Sequence, residues 1–410
     1  MHTESPLISI IVIGLGLAFV LGLVAHRLRM SVIVGYLVAG IAVGPFTPGF
    51  VADQALAIQL ADIGVILLMF GVGLHFSVGD LLAVKAVAIP GALLQIAAAT
   101  GLGLGLATLF GWPIGAGLIF GLCLSVASTV VLLRALEDRG LLAKRQGHLV
   151  VGWLVIQDLI TVLALVLLPP FTPLILGGAG APVATSELVW TVGWTLAKVI
   201  GFVALMLLVG LHAIPALLEV VARTMPRELL RLGVLSVALV VAFVATEVFG
   251  VSFALGAFIA GMVLNESEPG QQAAEEMLPL RDAFAVLFFV SVGMAFDPSV
   301  ILRQPLQLLG ALAVVMIGTP VVAFVLTRML GESRSVALLV AGGLSQIGEF
   351  SFILAGLAIG LGILPNAVRA VILGASILSI FLNPIVMAGV AKIENLSRAA
   401  GEVEKPRVLD

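Results

Sequence analysis

Thirteen apolar runs, separated by short polar segments, set the pattern of this chain. They cover residues 7–25, 31–47, 57–75, 82–109, 113–134, 147–168, 187–211, 229–248, 251–265, 281–296, 305–329, 334–362 and 366–391. A bilayer core of about 30 Å needs about 20 apolar residues at 1.5 Å per residue, and most of these runs approach or exceed that length. The pattern predicts an all-α polytopic membrane protein of 13 spans.

Composition agrees: 61% of residues are hydrophobic and 10% charged. Those values exclude a soluble domain. The N-terminus has no charged start and no cleavage site, so the first run reads as a span rather than a signal peptide. Cys123 is the only cysteine, which excludes an internal disulfide. The five histidines lie near span ends and no HExxH motif occurs, so an intramembrane enzyme is not expected. Nothing points to nucleic acid; the bilayer is the expected partner.

Basic residues orient the chain. Of 20 lysines and arginines, Arg303 and Arg369 fall on one side and Lys198 lies inside a span; the remaining 17 fall on the other side. The basic side is cytoplasmic. The N-terminus is then outside and the C-terminus inside, which requires an odd number of spans. In a bacterial cell this is a multi-pass inner-membrane protein with a periplasmic N-terminus.

The chain also resembles itself. Gly35–Gly40 (GYLVAG) matches Gly256–Gly261 (GAFIAG) at an offset of 221. Val72-Gly73-Leu74 matches Val292-Gly293-Met294, and Leu124-Ser125 matches Leu344-Ser345, both at 220. The offset is seven spans, an odd number, so matched spans run in opposite directions. The expected organisation is a membrane domain over 1–391: repeat one at 7–168, a linker helix at 187–211 and repeat two at 229–391. A cytoplasmic tail follows at 392–410, with no regulatory nucleotide-binding domain in the chain. Inverted repeats with substrate sites near the midplane are an architecture of secondary transporters.

One acid stands out. Asp158 lies near the middle of the run 147–168, where at about 1.5 Å per residue it is roughly 15 Å from either surface. A charge there costs about 2.5–3.5 kcal/mol on insertion scales, so a retained acid is a functional candidate. Its neighbour Gln157 either tunes or ligates an ion, or bonds to a nearby carbonyl. The matched spans 5 and 12 have polar centres: Ser125, Ser128 and Thr129 in one, Ser345, Gln346 and Glu349 in the other. The run Gly-Gly-Leu-Ser-Gln-Ile-Gly-Glu predicts a broken helix, tolerated at membrane depth only where it is buried or lines a cavity. Hydroxyl, carbonyl and carboxylate oxygens suit a small hard cation, at Asp158 with these groups along its path. The hydroxyls could equally serve helix–helix hydrogen bonds. Glu349 reads either as a helix cap or as part of the ion path. No divalent-metal site is expected.

The segments GYLVAGIAVGP, LLMFGVGLHFS, SFALGAFIAGMVLNESE, LFFVSVGMAFDP and LSQIGEFSFILAG, with the Gln157-Asp158 pair, resemble the Kef branch of the monovalent cation:proton antiporter-2 family over residues 7–391. The resemblance implies an NhaA-like fold with two crossed discontinuous helices, a core domain and a dimerisation domain, hence a homodimer. It implies that Asp158 binds cation and proton in turn. Electrogenic relatives carry a lysine in the span corresponding to Phe284–Phe296, and this chain has none. The expected activity is exchange of K+, or alternatively Na+, for H+, with no cofactor. The competing reading is a gated K+ channel along the same path.

Overall fold

The computed structural model describes residues 6–28, 30, 32–48, 53–74, 78–176, 185–266, 272, 275–348 and 350–399. All regular elements among the described residues are helices, without strands. The helices are α1 (Pro6–Arg27), α2 (Val32–Val43), α3 (Gln54–Gly73), α4 (Val78–Leu109), α5 (Ile114–Ser125), α6 (Thr129–Glu137) and α7 (Arg145–Ile175). Next come α8 (Thr185–Leu205), a π-turn, α9 (Leu211–Thr224), α10 (Arg227–Glu247), α11 (Phe253–Asn265) and α12 (Leu278–Met294). The chain continues with α13 (Val300–Arg303), α14 (Pro305–Ala313), a second π-turn, α15 (Thr319–Met329), α16 (Arg334–Gly343), α17 (Phe350–Gly360) and α18 (Asn366–Ala399). Side-chain caps start several of them: Asp53 accepts from the amides of Ala55 and Leu56, and Ser252 and Ser333 accept from those of Leu255 and Val336.

Among the described residues, nine helical stretches are long and apolar enough to cross a membrane. Four apolar helices are shorter: α2, α11, α16 and α17. The last two are the halves of a single expected span. The helix expected over 187–211 continues through the π-turn to Thr224.

The compact units do not follow the repeats. One unit takes Met1–Leu82 and Pro182–Phe296; the other takes Ala83–Ala181 and Asp297–Asp410. Each repeat is thus divided, its first three spans going to one unit and its last three to the other. The first unit holds α1–α3 and α8–α12. Its core includes Ile10 and Ala18 of α1, Ala39 and Val43 of α2, Leu60 of α3, and Leu287, Val290 and Met294 of α12. The second unit holds nearly all of α4, with α5–α7 and α13–α18.

The repeat-matched glycines of the first unit prove to be crossing points. A Cβ on Gly40 of α2 would stand 2.8 Å from the Cα of Gly293 of α12 and 2.0 Å from the Val290 carbonyl. A Cβ on Gly261 of α11 would stand 2.9 Å from the Cα of Gly73 of α3 and 2.2 Å from the Phe70 carbonyl. Gly40 matches Gly261 and Gly73 matches Gly293, so one crossing is the counterpart of the other. Small residues at such crossings let helix backbones touch. Gly261→Leu is therefore expected to force α3 and α11 apart and destabilise the protein by several kcal/mol, beyond the about 1–3 kcal/mol of ordinary overpacking because the clash is with backbone. Loss of the monodisperse peak in detergent, with Gly356→Leu unchanged, checks this; Gly356 has nothing within 4 Å of an added Cβ.

Polar contacts join helix ends within each unit. Arg231, starting α10, pairs with Glu276 just before α12. In the second unit Arg145, starting α7, donates both guanidinium nitrogens to Glu332, just before α16, at 2.9 and 2.7 Å. Gln304, before α14, donates to the Ala367 carbonyl at the start of α18, 3.2 Å away.

Candidate functional site

All the site residues lie in the second unit. Spans 5 and 12 are both broken. The first is helical to Ser125, extended at Val126 and Ser128, and helical again from Thr129. The second ends its first helix at Gly343 and resumes at Phe350. Glu349, expected in this break, lies outside the described residues.

The two breaks meet face to face. The Gly348 amide donates to the Val126 carbonyl at 2.9 Å. Gln346 bridges the peptide of Ser128: its Oε1 accepts from the Ser128 amide and its Nε2 donates to the Ser128 carbonyl, both at 2.9 Å. Only glycine fits at 348, since a Cβ there would stand 2.7 Å from the Ala127 carbonyl oxygen. Two helix N-termini, at Thr129 and Phe350, and two C-termini, at Ser125 and Gly343, thus converge on one point. The partial charges of opposed half-helices suit both an acid and a cation.

Asp158 of α7 reaches this point. It is 5% exposed, and its Oδ2 accepts from the Thr129 hydroxyl at 3.2 Å, at the first residue of α6. Ser128 caps α6, its Oγ accepting from the Val131 amide at 3.3 Å. The hydroxyls of Ser125 and Ser345 donate back to Leu122 and Gly342 at 2.8 and 2.7 Å. The Gln157 amide is engaged at both ends: Oε1 accepts from the Ala127 amide at 3.2 Å, and Nε2 donates to Gln95 and to the Ser125 carbonyl. Of the residues expected at the site, the described ones are all brought together. Thr129 bonds to Asp158 itself, while Gln157, Gln346, Ser125, Ser128 and Ser345 bond within or across the breaks.

Four residues went unnoticed in the sequence. Gln95 of α4 donates to the Ser125 carbonyl at 3.0 Å. On α18, Ser376 donates to the Ile347 carbonyl at 3.0 Å and Ser379 accepts from the Ile347 amide at 3.2 Å. Asn383 donates to the Gly342 carbonyl at 2.8 Å. Each break is therefore satisfied partly from other spans of its own repeat, as unpaired backbone groups at membrane depth require. The available signal was a buried polar residue isolated in an apolar run.

A bundle with two broken helices meeting beside a buried acid defines a secondary transporter. The sodium/hydrogen exchanger transmembrane model matches residues 15–392. The chain belongs to this family of antiporters and is a multi-pass membrane protein. It is 56% identical over 388 residues to YbaL of Escherichia coli K12, whose name assigns it to cation/proton antiport, covering 95% of this chain and 69% of that one. It is 32% identical over 367 residues to K(+) efflux antiporter 4 of Arabidopsis thaliana, covering 89% of this chain and 60% of the relative. The fold is similar to that of the sodium proton antiporter MjNhaP1 from Methanocaldococcus jannaschii at a TM-score of 0.65 and 17% identity, covering 95% and 98% of the two chains.

Proposed function

We propose that the chain exchanges K+ for H+ across the bacterial inner membrane by alternating access at Asp158, one proton for one cation. The observation that carries the reading is the Asp158 carboxylate at the meeting point of the two breaks, bonded to Thr129. A single carboxylate cannot hold a proton and a cation together, so each must leave before the other binds, and that rule alone couples the two fluxes. Thr129 and the facing half-helix ends supply hard oxygen ligands and a balanced field around the acid. Gln157 contributes by holding the break in span 5, since both ends of its amide are already bonded. The name of the Arabidopsis relative supports K+, while the MjNhaP1 title supports Na+ as the alternative. Electroneutral exchange is supported by the absence of a lysine from Phe284–Phe296. A homodimer with its N-terminus outside completes the reading.

Proteoliposomes loaded with a pH-sensitive dye test it. A pH gradient alone is expected to drive K+ uphill, with K+ preferred over Na+, and the cation gradient that nulls proton movement is expected not to shift with imposed voltage. Downhill flux only would establish a channel instead. A voltage-dependent null point would overturn the one-to-one stoichiometry.

A further inference from the structure

We propose that Gln95 is a positioning residue for ion exchange: by fixing the Gln157 amide it ties the break in span 5 to α7, and so sets the contact between Thr129 and Asp158. The proposal rests on the reading of Asp158 as the exchange site and deepens it.

Gln95 is fully buried at 0% exposure in an apolar helix. An amide there is costly unless its groups are bonded. Both ends are bonded, and to the same structure: Nε2 donates to the Ser125 carbonyl at 3.0 Å and Oε1 accepts from Gln157 Nε2. The Trp153 indole nitrogen lies 3.5 Å from that same oxygen. The two ends of an amide differ in kind, one donating and one accepting. Because Gln95 offers Gln157 an oxygen, Gln157 must turn its nitrogen towards α4. Its own oxygen then faces the Ala127 amide, 3.2 Å away. Inverted, the Gln157 amide would set N–H against N–H at Ala127 and release the break. Ala127 lies two residues before Thr129, whose hydroxyl bonds to Asp158. Gln157 is the residue next to Asp158 on α7. A line of hydrogen bonds thus runs from α4 through Gln157 to the segment carrying the ligand of the exchanging acid.

Gln95→Met keeps the length of the side chain and removes both bonds. In reconstituted protein it is expected to raise the cation KM about tenfold, the scale of one to two buried hydrogen bonds. It should also move the pH profile of exchange with a smaller change in kcat. Adding Gln95→Met to Gln157→Met should cause no further change, because Gln95 acts through the Gln157 amide. If Gln95→Met fails to fold, Gln95→Asn decides: it keeps an amide one methylene too short to reach both partners, and should show the same shifts in smaller measure. A wild-type KM and pH profile in the folded variant, a fall in kcat alone, or strictly additive effects in the double variant would overturn the proposal. Asp158→Asn in parallel separates the two claims. Exchange surviving in Asp158→Asn removes the reading of Asp158, whereas an inactive Asp158→Asn beside a Gln95→Met with wild-type KM and pH profile removes the role of Gln95 alone.

Discussion

Asp158→Asn is expected to reduce proton-coupled cation flux to the level of protein-free vesicles while the protein stays folded. Asparagine has nearly the volume of aspartate, and its Oδ1 can still accept from the Thr129 hydroxyl, 3.2 Å away in the parent. The packing of a side chain only 5% exposed is therefore preserved. What is lost is the ability to take up and release a proton, and with it the negative charge that attracts a cation. The variant also escapes the about 2.5–3.5 kcal/mol cost of a charge at the bilayer midplane. Its melting temperature in detergent should accordingly equal or exceed that of the parent. Exchange near the parental rate would sink the assignment; a collapsed melting temperature would show that Asp158 holds the fold together.

Gly348→Val is expected to abolish exchange by a different route, with Asp158 intact. An added Cβ would stand 2.7 Å from the Ala127 carbonyl oxygen, 2.8 Å from its carbon and 2.9 Å from the Ser128 nitrogen. All three are backbone atoms and cannot turn aside. The breaks must separate, which removes the bond from the Gly348 amide to the Val126 carbonyl and strains the two Gln346 bonds to Ser128. At membrane depth those groups find no water, so the cost exceeds the about 1–3 kcal/mol of ordinary overpacking. Gly360→Val is the control, since an added Cβ there meets nothing within 4 Å. Equal transport by the two variants, read by the same dye assay, would show that the contact between breaks is dispensable.

Much of this was legible beforehand because membrane insertion constrains a chain one residue at a time. A run of apolar residues must be helical, since lipid offers no partner for its backbone. Gly342-Gly343 and the polar residues after them cannot continue such a helix cheaply, and the chain does leave the helix between Gly343 and Phe350. Asp158 stood out because its cost depends on depth alone. Gln95 did not, because a lone glutamine in an apolar run is informative only once its partners are known.

The sequence by itself determined the helical class, the matched glycines, the two interruptions and the acid between them. These are properties of hydropathy, charge and spacing along a line. Only the tertiary structure decided which groups satisfy the interruptions: Gln95 for Ser125, 30 residues on, and Gln346 for Ser128, 218 residues back. Only it showed that Gly40 meets Gly293 and Gly261 meets Gly73, so that each repeat is divided between two compact units. Many polar side chains could satisfy a freed carbonyl, and the pattern along the chain is silent on which one lies within 3 Å. That choice follows from how the helices pack against one another, which couples residues far apart in sequence.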